Sequence, residues 1–396
     1  MKICVISYGS ISIHKNNRYT NPAITSLLNH LAQQNEVFYL AQNAGKNASV
    51  YNGDKPVYIE KISERVRVIA LHPQNTKNRF QEITNFCKNL IILCRYITKT
   101  DLMYVYLPSY TNLLASIFTL IVRKKIALYI GADWKALQGM KRRNIVSSFY
   151  SRTYAFFVER IYDQALFVLV TGEQIFTEIN KKGRRVFQTI PSVSFKKYEN
   201  QKPKGESTDS YRCVNIFFAG PINERKGILY LIKSLPILTQ KGLQVHLHLA
   251  GTIEKTYQIK IEQEIKENHL SEYITFHGYL ADPSVLAELY TKMNFFVLPS
   301  LAEGFPRAIY EAMMSGLPVI STDLPSIRGN LDDPEIIFFV PQKDPEAIAK
   351  ALLELVKNPS KRKKMIDKGY DFVKKKLSEK KHYEQVEELI NQYAHT

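Results

Sequence analysis

Residues 299–322 read PSLAEGFPRAIYEAMMSGLPVIST and predict, in that order, a loop, a helix and a buried strand. The apolar run Phe295 to Leu298 before them is typical of another buried strand, and Pro306 suits the first turn of a helix. Gly304 allows the backbone to approach a ligand closely, and the following helix presents free N–H groups and the positive end of its dipole. The stretch therefore predicts an anion-binding loop at the end of a strand.

Short apolar, β-branched runs alternate with helical patterns along nearly the whole chain, which is typical of a parallel sheet with helices on both faces. The alternation occurs in two series, separated by a polar run at residues 196–212 that lacks apolar periodicity. We therefore predict an α/β protein built from two doubly wound, Rossmann-like domains. The expected parts are an N-terminal domain at 1–198, a linker at 199–212, a C-terminal domain at 213–377 and a last helix within 378–396.

The composition is that of a globular protein and excludes disorder, since 45% of the 396 residues are hydrophobic and 23% are charged. The four cysteines form no CxxC pair, which argues against a disulfide framework and against a zinc site. The longest mostly apolar stretch, Leu113 to Val122, is shorter than the roughly 18 residues that a membrane-spanning helix needs. We expect neither a signal peptide nor a membrane span.

The basic excess of the chain is confined to its first half. Residues 1–198 contain 28 Lys and Arg against 11 Asp and Glu, residues 199–396 contain 26 of each, and the net charge is +17. Such an excess favours an acidic partner. Nucleic acid is not the expected partner, because no helix-turn-helix, RNP or zinc signature accompanies the charge.

Two glutamates, Glu303 and Glu311, lie eight residues apart in the opening stretch. Carboxylates beside an anion site are costly unless they accept hydrogen bonds, and sugar and ribose hydroxyls are suitable donors. A bare pair at this spacing is common by chance, and the alternative is ordinary chemistry at the start of a helix. The surrounding context is more specific than the pair.

That context, P-S-x-x-E-G-F-P-x-x-x-x-E-A-M-x-x-G-x-P-V-I, resembles the E-x7-E motif of the retaining glycosyltransferases of family 4, the group 1 glycosyl transferases of surface polysaccharide assembly. The resemblance extends from about Val214 to Leu355. It implies a GT-B fold, in which two Rossmann-like domains face each other across a cleft. It further implies that the last helix packs back onto the N-terminal domain.

The resemblance also implies roles for residues around the two glutamates. Glu303 contacts hydroxyls of the donor sugar, and the backbone of Gly304, Phe305 and Pro306 surrounds that sugar. Glu311 holds the ribose of the nucleotide.

The segment FFAGPINERKG, residues 217–227, resembles the phosphate loop of the same family. Lys226, the lysine before the last glycine, is then the ligand of the diphosphate. Many relatives have an arginine where this chain has Pro221, and Arg225 is the candidate replacement. Gly9, predicted to follow the first strand, is a further candidate for approach to phosphate, although a plain turn explains it equally well.

The segment ITFHGYL, residues 274–280, resembles the turn that passes the nucleobase, so Gly278, Tyr279 and Leu280 are candidates for backbone contacts to the base. The chain contains no D-x-D pair of the kind that holds a divalent ion against a nucleoside diphosphate. We therefore expect no metal and no cofactor, with Lys226 and a helix N-terminus stabilising the leaving diphosphate. The family implies front-side attack by the acceptor, which requires no enzymic nucleophile.

Two features of the first 198 residues bear on the acceptor. Asp133 follows a buried strand and is a candidate catalytic residue, with an N-cap role as the equal alternative. Residues 141–161 combine a basic cluster with Ile145, Phe149, Phe157 and Ile161 at helical spacing. This segment suits an anionic membrane surface, or else a core helix with a solvated basic end.

The sequence thus predicts a hexosyltransferase that uses a nucleotide sugar, most often a UDP-sugar in this family, and a lipid-linked or polysaccharide acceptor. We expect an anionic lipid-linked glycan as acceptor, and a cytoplasmic protein lying peripherally on the inner face of the cytoplasmic membrane. The alternatives are an epimerase of the same architecture and a transferase that acts on a small soluble acceptor.

Overall fold

The chain forms two compact units, one of Met1–Ser194 with Lys380–Thr396 and one of Phe195–Glu379. The computed structural model describes residues 1–394 except 15–16, 44–50, 53–54, 57–59, 74–78, 132–144, 181–182, 190–212, 281 and 379–380. The linker expected at 199–212 lies outside the described residues. Within the described part, no helix has both the length and the apolar composition to cross a bilayer.

Unit 1 is built on a mostly parallel sheet. Its strands are β1 (Lys2–His14), β2 (Asn17–Thr20), β3 (Glu36–Asn43), β4 (Tyr51–Asn52), β5 (Lys55–Pro56), β6 (Glu60–Lys61), β7 (Val66–Leu71), β8 (Leu102–Leu107), β9 (Lys125–Ile130), β10 (Val168–Val170) and β11 (Val186–Gln188). The parallel strands lie in the order β7-β3-β1-β8-β9-β10-β11. Antiparallel β2 and β6 extend from the end of β1, and β4 pairs with β5.

Helices connect the strands of this sheet, and the central strands β8 and β9 are almost entirely buried. This burial explains their continuous apolar sequences, because strands covered on both faces need no polar alternation. The helices are α1 (Pro22–Leu31), α2 (Arg79–Lys99), α3 (Tyr110–Ile121), α4 (Ile145–Gln164) and α5 (Glu173–Ile179).

The first strand is longer than the sequence indicates. A strand ending at Ser7, with Gly9 in the turn after it, was the expectation; instead β1 continues to His14, and Gly9 lies inside it. The pairing of β1 with β3 shifts register between Ile6 and Ser10, so the chain passes this point through an irregularity rather than a turn. The polar residues at this irregularity interrupt the apolar pattern, which is why the strand seemed to end there.

Unit 2 is a six-stranded parallel sheet with the order β14-β13-β12-β15-β16-β17. Its strands are β12 (Val214–Ala219), β13 (Val245–Ala250), β14 (Ile274–Gly278), β15 (Phe295–Leu298), β16 (Val319–Thr322) and β17 (Phe338–Val340). The chain winds outward from β12 to β14 and then returns to β15 beside β12. The direction of winding therefore reverses between β12 and β15, the position where open α/β sheets bind ligands.

The helices of unit 2 are α6 (Ile228–Gln240), α7 (Lys255–Glu267), α8 (Pro283–Lys292), α9 (Arg307–Met314), α10 (Pro325–Leu331), α11 (Pro345–Lys357) and α12 (Pro359–Ser378). A short 3₁₀ turn, Glu224–Lys226, precedes α6. The last helix, α13 (His382–Tyr393), belongs to unit 1. The α/β prediction is confirmed in both units.

Helix α13 packs its apolar side into the core of unit 1. Val386, Leu389 and Ile390 are buried in the same cluster as residues of β1, β3 and β8. At the start of the helix, the ring of His382 is buried, with Nδ1 3.0 Å from the hydroxyl of Thr189. Helix α13 thus forms part of the core of unit 1.

Candidate functional site

Two loops meet at the switch point of unit 2. One joins β12 to α6 and contains the predicted phosphate loop, and the other joins β15 to α9 and contains Glu303. Because β12 and β15 are neighbouring parallel strands, both loops leave the same edge of the sheet.

Backbone contacts hold the two loops together. The N–H of Leu301 donates to the carbonyl of Arg225 at 2.8 Å, and the Arg225 guanidinium donates to the carbonyl of Ala302 at 2.7 Å. Gly227 has φ +65°, and a Cβ on it would lie 2.1 Å from the carbonyl oxygen of Pro299. Only glycine permits this approach, so the K-G pair of the phosphate loop is required for packing as well as for any ligand.

Lys226 and Glu303 form the centre of the site. The Lys226 ammonium lies 2.5 Å from Glu303 Oε1, and their side chains are only 11% and 4% exposed. Arg225 approaches the other carboxylate oxygen, Oε2, at 3.4 Å. The sequence assigned these residues to different parts of a donor; the structure brings all three together.

The electrostatics of this centre are those of a cationic pocket around one carboxylate. Burial lowers the pKa of the Lys226 ammonium, although the charge and hydrogen bond of Glu303 oppose the shift; the positive charges of Arg225 and Arg307 lower it further. An anion placed here would meet several cations held at short range.

Glu311 is the fifth residue of α9, a little over one turn into the helix. The Tyr290 hydroxyl donates to its Oε2 at 3.2 Å. Burial raises the pKa of the Glu311 carboxyl, against the opposing effects of Arg307 and of the Tyr290 hydrogen bond. A partly buried acceptor of this kind is able to bind a hydroxyl such as that of ribose.

The loop between the glutamates is held by an aromatic contact. The ring of Phe305 stacks on Tyr310 with centroids 4.8 Å apart, and Pro306 is buried directly before the first residue of α9. Gly304 and the Phe305 backbone are thereby placed at the entrance to this helix.

Interlocking glycines fix the predicted nucleobase turn. The N–H of Gly251 donates to the carbonyl of Gly278 at 2.8 Å, and a Cβ on Gly251 would lie 1.9 Å from the carbonyl oxygen of Gly220. Next to this turn, Tyr279 is exposed and Leu280 is partly buried. The sequence analysis missed Gly251, although a glycine directly after a strand was the available signal.

A row of histidines on one side of the sheet was also missed. His248 Nδ1 lies 3.0 Å from His277 Nε2, and the rings of His246 and His248 have centroids 4.7 Å apart. Burial, together with the charges of His246 and His277, lowers the pKa of His248 to about 4. Alternate residues of a strand share a face, so the H-x-H spacing at 246–248 was a usable signal.

Two further predicted residues belong to the first 198 residues of the chain. Gly9 lies in unit 1, within β1. Asp133 lies outside the described residues. Across the part of the chain that the structure describes, no group of three or more His, Cys, Asp or Glu side chains is arranged to hold a metal ion.

The part of the chain that contains this site is also similar in sequence to known proteins. Residues 201–372 match the family "Glycosyl transferases group 1". The glycosyltransferase CapM of capsular polysaccharide biosynthesis from Staphylococcus aureus is 28% identical over 211 residues, which cover 52% of this chain and 54% of that protein. The chain thus spans about half the length of this curated relative.

Two solved structures resemble the whole chain. The sucrose-phosphate synthase of Thermosynechococcus elongatus aligns with a TM-score of 0.73 and 19% identity over 99% of this chain and 98% of its own. HepE of Anabaena, solved in complex with UDP-glucose, aligns with a TM-score of 0.64 and 14% identity over 100% and 98%. The predicted GT-B fold is confirmed.

Proposed function

We propose, because residues 201–372 match the family "Glycosyl transferases group 1", that this chain is a glycosyltransferase that moves a hexose from a nucleotide sugar to an acceptor hydroxyl. The observation that carries the proposal is the cluster of Lys226, Arg225 and Glu303 at the switch point of unit 2. A sugar diphosphate requires cations for its phosphates and acceptors for its hydroxyls, and this cluster offers both.

In the proposed reaction, Lys226, Arg225 and the N-terminal end of α6 stabilise the leaving diphosphate. These groups supply the positive charge that a metal ion would otherwise provide, so we propose a metal-independent transfer. The acceptor hydroxyl attacks the anomeric carbon from the face that the diphosphate leaves. The new glycosidic bond therefore retains the configuration of the donor.

The proposed donor is a UDP-sugar. Glu311 holds its ribose, the backbone of 278–280 contacts its base, and Glu303 with the loop 304–306 contacts its sugar. The support for uridine is the binding of UDP-glucose by HepE, which shares the fold.

The proposed acceptor is an anionic lipid-linked or polysaccharide glycan. CapM, which resembles about half of this chain, acts in capsular polysaccharide biosynthesis by its name. The basic excess of residues 1–198 suits an anionic acceptor or surface. Gly9 and Asp133, both in these 198 residues, remain predictions for contacts on this side.

We further propose that unit 1 binds the anionic inner face of the cytoplasmic membrane. In the segment 141–161, Ile161 is buried in the core and Phe157 packs against it, so these two side chains are not available to a membrane. Helix α2 is a better candidate, since Ile83 and Ile91 are 62% and 69% exposed. The exposed basic residues of the same helix, Lys88 and Arg95, suit anionic headgroups.

Sedimentation with anionic vesicles at low salt tests the membrane proposal. We expect Ile83→Glu and Ile91→Glu to abolish binding, because each places a negative charge at the contact. Ile259→Glu is the matched control, because Ile259 is 68% exposed on α7 of unit 2. Equal binding by the variants and the control would refute the assignment to α2.

The donor proposal is tested by thermal shift and nucleotide release with UDP-, GDP- and ADP-sugars, each with and without EDTA. We expect stabilisation by one nucleotide class, unchanged by EDTA, and lost in Glu311→Gln. Glu288→Gln on α8 is the matched control, because Glu288 is exposed and pairs with Lys292 on the surface. If no nucleotide sugar stabilises or is consumed by the wild type, the proposal is wrong.

A further inference from the structure

Ser300 lies beneath the carboxylate of Glu303. Its hydroxyl donates to Glu303 Oε1 at 2.5 Å, and its side chain is fully buried. The same oxygen accepts from Lys226 at 2.5 Å. Because a carboxylate cannot donate, the direction of the Ser300 hydrogen bond is fixed.

The two oxygens of Glu303 are therefore held differently. Among the residues that the structure describes, Oε1 accepts two short hydrogen bonds, one from Ser300 and one from Lys226, whereas Oε2 has only the 3.4 Å contact with Arg225. Short, charge-assisted hydrogen bonds are the stronger ones. Arg225 is thus the partner that can leave Glu303, and Oε2 is the oxygen that its departure opens.

Ser300 is itself fixed by the neighbouring strand. The hydroxyl of Thr322, the last residue of β16, donates to the carbonyl of Ser300 at 2.6 Å. Thr322 is buried as well. A chain of two hydroxyls therefore connects the end of β16 to the carboxylate.

We propose that Ser300 is a positioning residue, which holds Glu303 Oε1 against Lys226 so that Oε2 faces the hydroxyls of the donor sugar. The inference rests on the proposed donor site. A fully buried hydroxyl cannot touch the donor, so Ser300 acts only through Glu303. Thr322 supports it by fixing the backbone from which the hydroxyl extends.

In this proposal, the sugar and the nucleotide are bound by different groups of the site. Glu303 Oε2 meets only the sugar, whereas Lys226 and Glu311 meet the diphosphate and the ribose. Removing the Ser300 hydroxyl should therefore weaken the binding and turnover of the nucleotide sugar while leaving the nucleoside diphosphate nearly unaffected. If Ser300 had only a structural role, its removal would weaken the binding of the nucleotide sugar and of the nucleoside diphosphate to the same extent.

The experiment compares Ser300→Ala, Ser300→Cys and Thr322→Val with the wild type, using the nucleotide sugar that stabilises the wild type and its nucleoside diphosphate. We expect Ser300→Ala to lower kcat/KM for donor consumption by about 10- to 100-fold, the effect of losing one hydrogen bond to a charged group. The affinity of the diphosphate should change by less than about twofold. The thiol of Ser300→Cys is a weak donor, so the kcat/KM of this variant should lie between those of the wild type and Ser300→Ala. Thr322→Val should lower kcat/KM by a smaller factor than Ser300→Ala.

Ser321→Ala is the matched control. Its hydroxyl is equally buried, but it donates to the carbonyl of Leu298 at 3.2 Å and does not touch Glu303. It should lose stability to a similar extent without separating the two ligands. The unfolding midpoint of each variant, measured without ligand, confirms that it is folded.

Two results overturn the inference while leaving the proposed function intact: full activity of Ser300→Ala, or equal losses for the sugar nucleotide and the diphosphate. A wild type that binds no nucleotide sugar overturns the proposed function, and the positioning role of Ser300 falls with it.

Discussion

The buried ion pair of Lys226 and Glu303 predicts strong energetic coupling between the two loops of the site. The atoms are 2.5 Å apart, and the side chains are 11% and 4% exposed, so either charge left alone is poorly solvated. Lys226→Met or Glu303→Gln alone should lower the free energy of unfolding of unit 2 by about 3–5 kcal/mol. The double variant leaves neither charge unpaired and should lose less than the sum of the two, with a coupling of about 2–3 kcal/mol.

Hydrogen exchange of the folded chain measures this coupling unit by unit. Peptides from β15 and α9 report on unit 2, and peptides from β8 and β9 in unit 1 provide the internal control, which should not change. The reasoning is refuted if each single variant lowers the free energy of unfolding by less than about 1 kcal/mol and the two effects are additive. Lys226 and Glu303 would then behave as a solvated surface pair.

This coupling changes how substitutions of Glu303 are interpreted. Glu303→Ala leaves the Lys226 ammonium buried without its partner, so lost turnover in that variant mixes a missing sugar contact with a weakened site. Glu303→Gln keeps an acceptor for Ser300 and is the better test of the carboxylate charge. Activity losses are informative only when the same variant still binds the nucleoside diphosphate.

Three further predictions concern other positions. Gly227→Ala should abolish nucleotide binding, because its Cβ would lie 2.1 Å from the Pro299 carbonyl; Gly242→Ala, with φ +81° and nothing within 4 Å, should cost only about 1–2 kcal/mol in calorimetry. The Glu311 pKa is raised by burial, so its charged form opposes folding as pH rises; Glu311→Gln should raise the Tm at neutral pH while weakening nucleotide binding, and an unchanged Tm would contradict this. Burial lowers the pKa of His382 to about 4 from 6.5, so the stability of unit 1 should be constant above pH 6.5 and fall by about 3 kcal/mol as pH drops to 4, a loss that denaturant titrations of His382→Gln should not show.

The centre of the sheet of unit 2 was predictable because β12, β15 and β16 are almost entirely buried on both faces. The strand predicted at Phe295 to Leu298 has the bounds of β15 in the structure. Such strands are continuous apolar runs between polar loops, and their signal does not depend on what covers them.

Unit 1 was less predictable at its edges. Strand β7, with the sequence VRVIAL, is only partly buried and its apolar run is interrupted by Arg67, and β11 is three residues long. Neither gives a clear apolar run. The long helix α2 was not predicted either. Apolar residues lie on its exposed face as well as on its buried face, so its sequence lacks a clear helical periodicity of apolar residues.

The site itself could be located from the sequence, but its internal contacts could not. The motif gives Lys226 and Glu303 separate roles, 77 residues apart in the chain, and nothing local shows that their side chains meet. Their contact follows from the return of β15 to the side of β12, a property of sheet order. The same adjacency places Ser300 under the carboxylate.

The charges of the site are consistent with a ligand that carries a diphosphate. Burial lowers the pKa of the Lys226 ammonium beside Glu303, and the positive charges of Arg225 and Arg307 lower it further. This group of cations is under internal repulsion that an anion relieves, since each phosphate of a diphosphate brings a negative charge. Because Ser300 and Lys226 keep Glu303 Oε1 in place, Arg225 is the cation best able to turn from the carboxylate to the phosphate. The diphosphate then meets Lys226 and Arg225 while Oε2 is left for the hydroxyls of the sugar, so the two parts of the donor are recognised by different groups of one site.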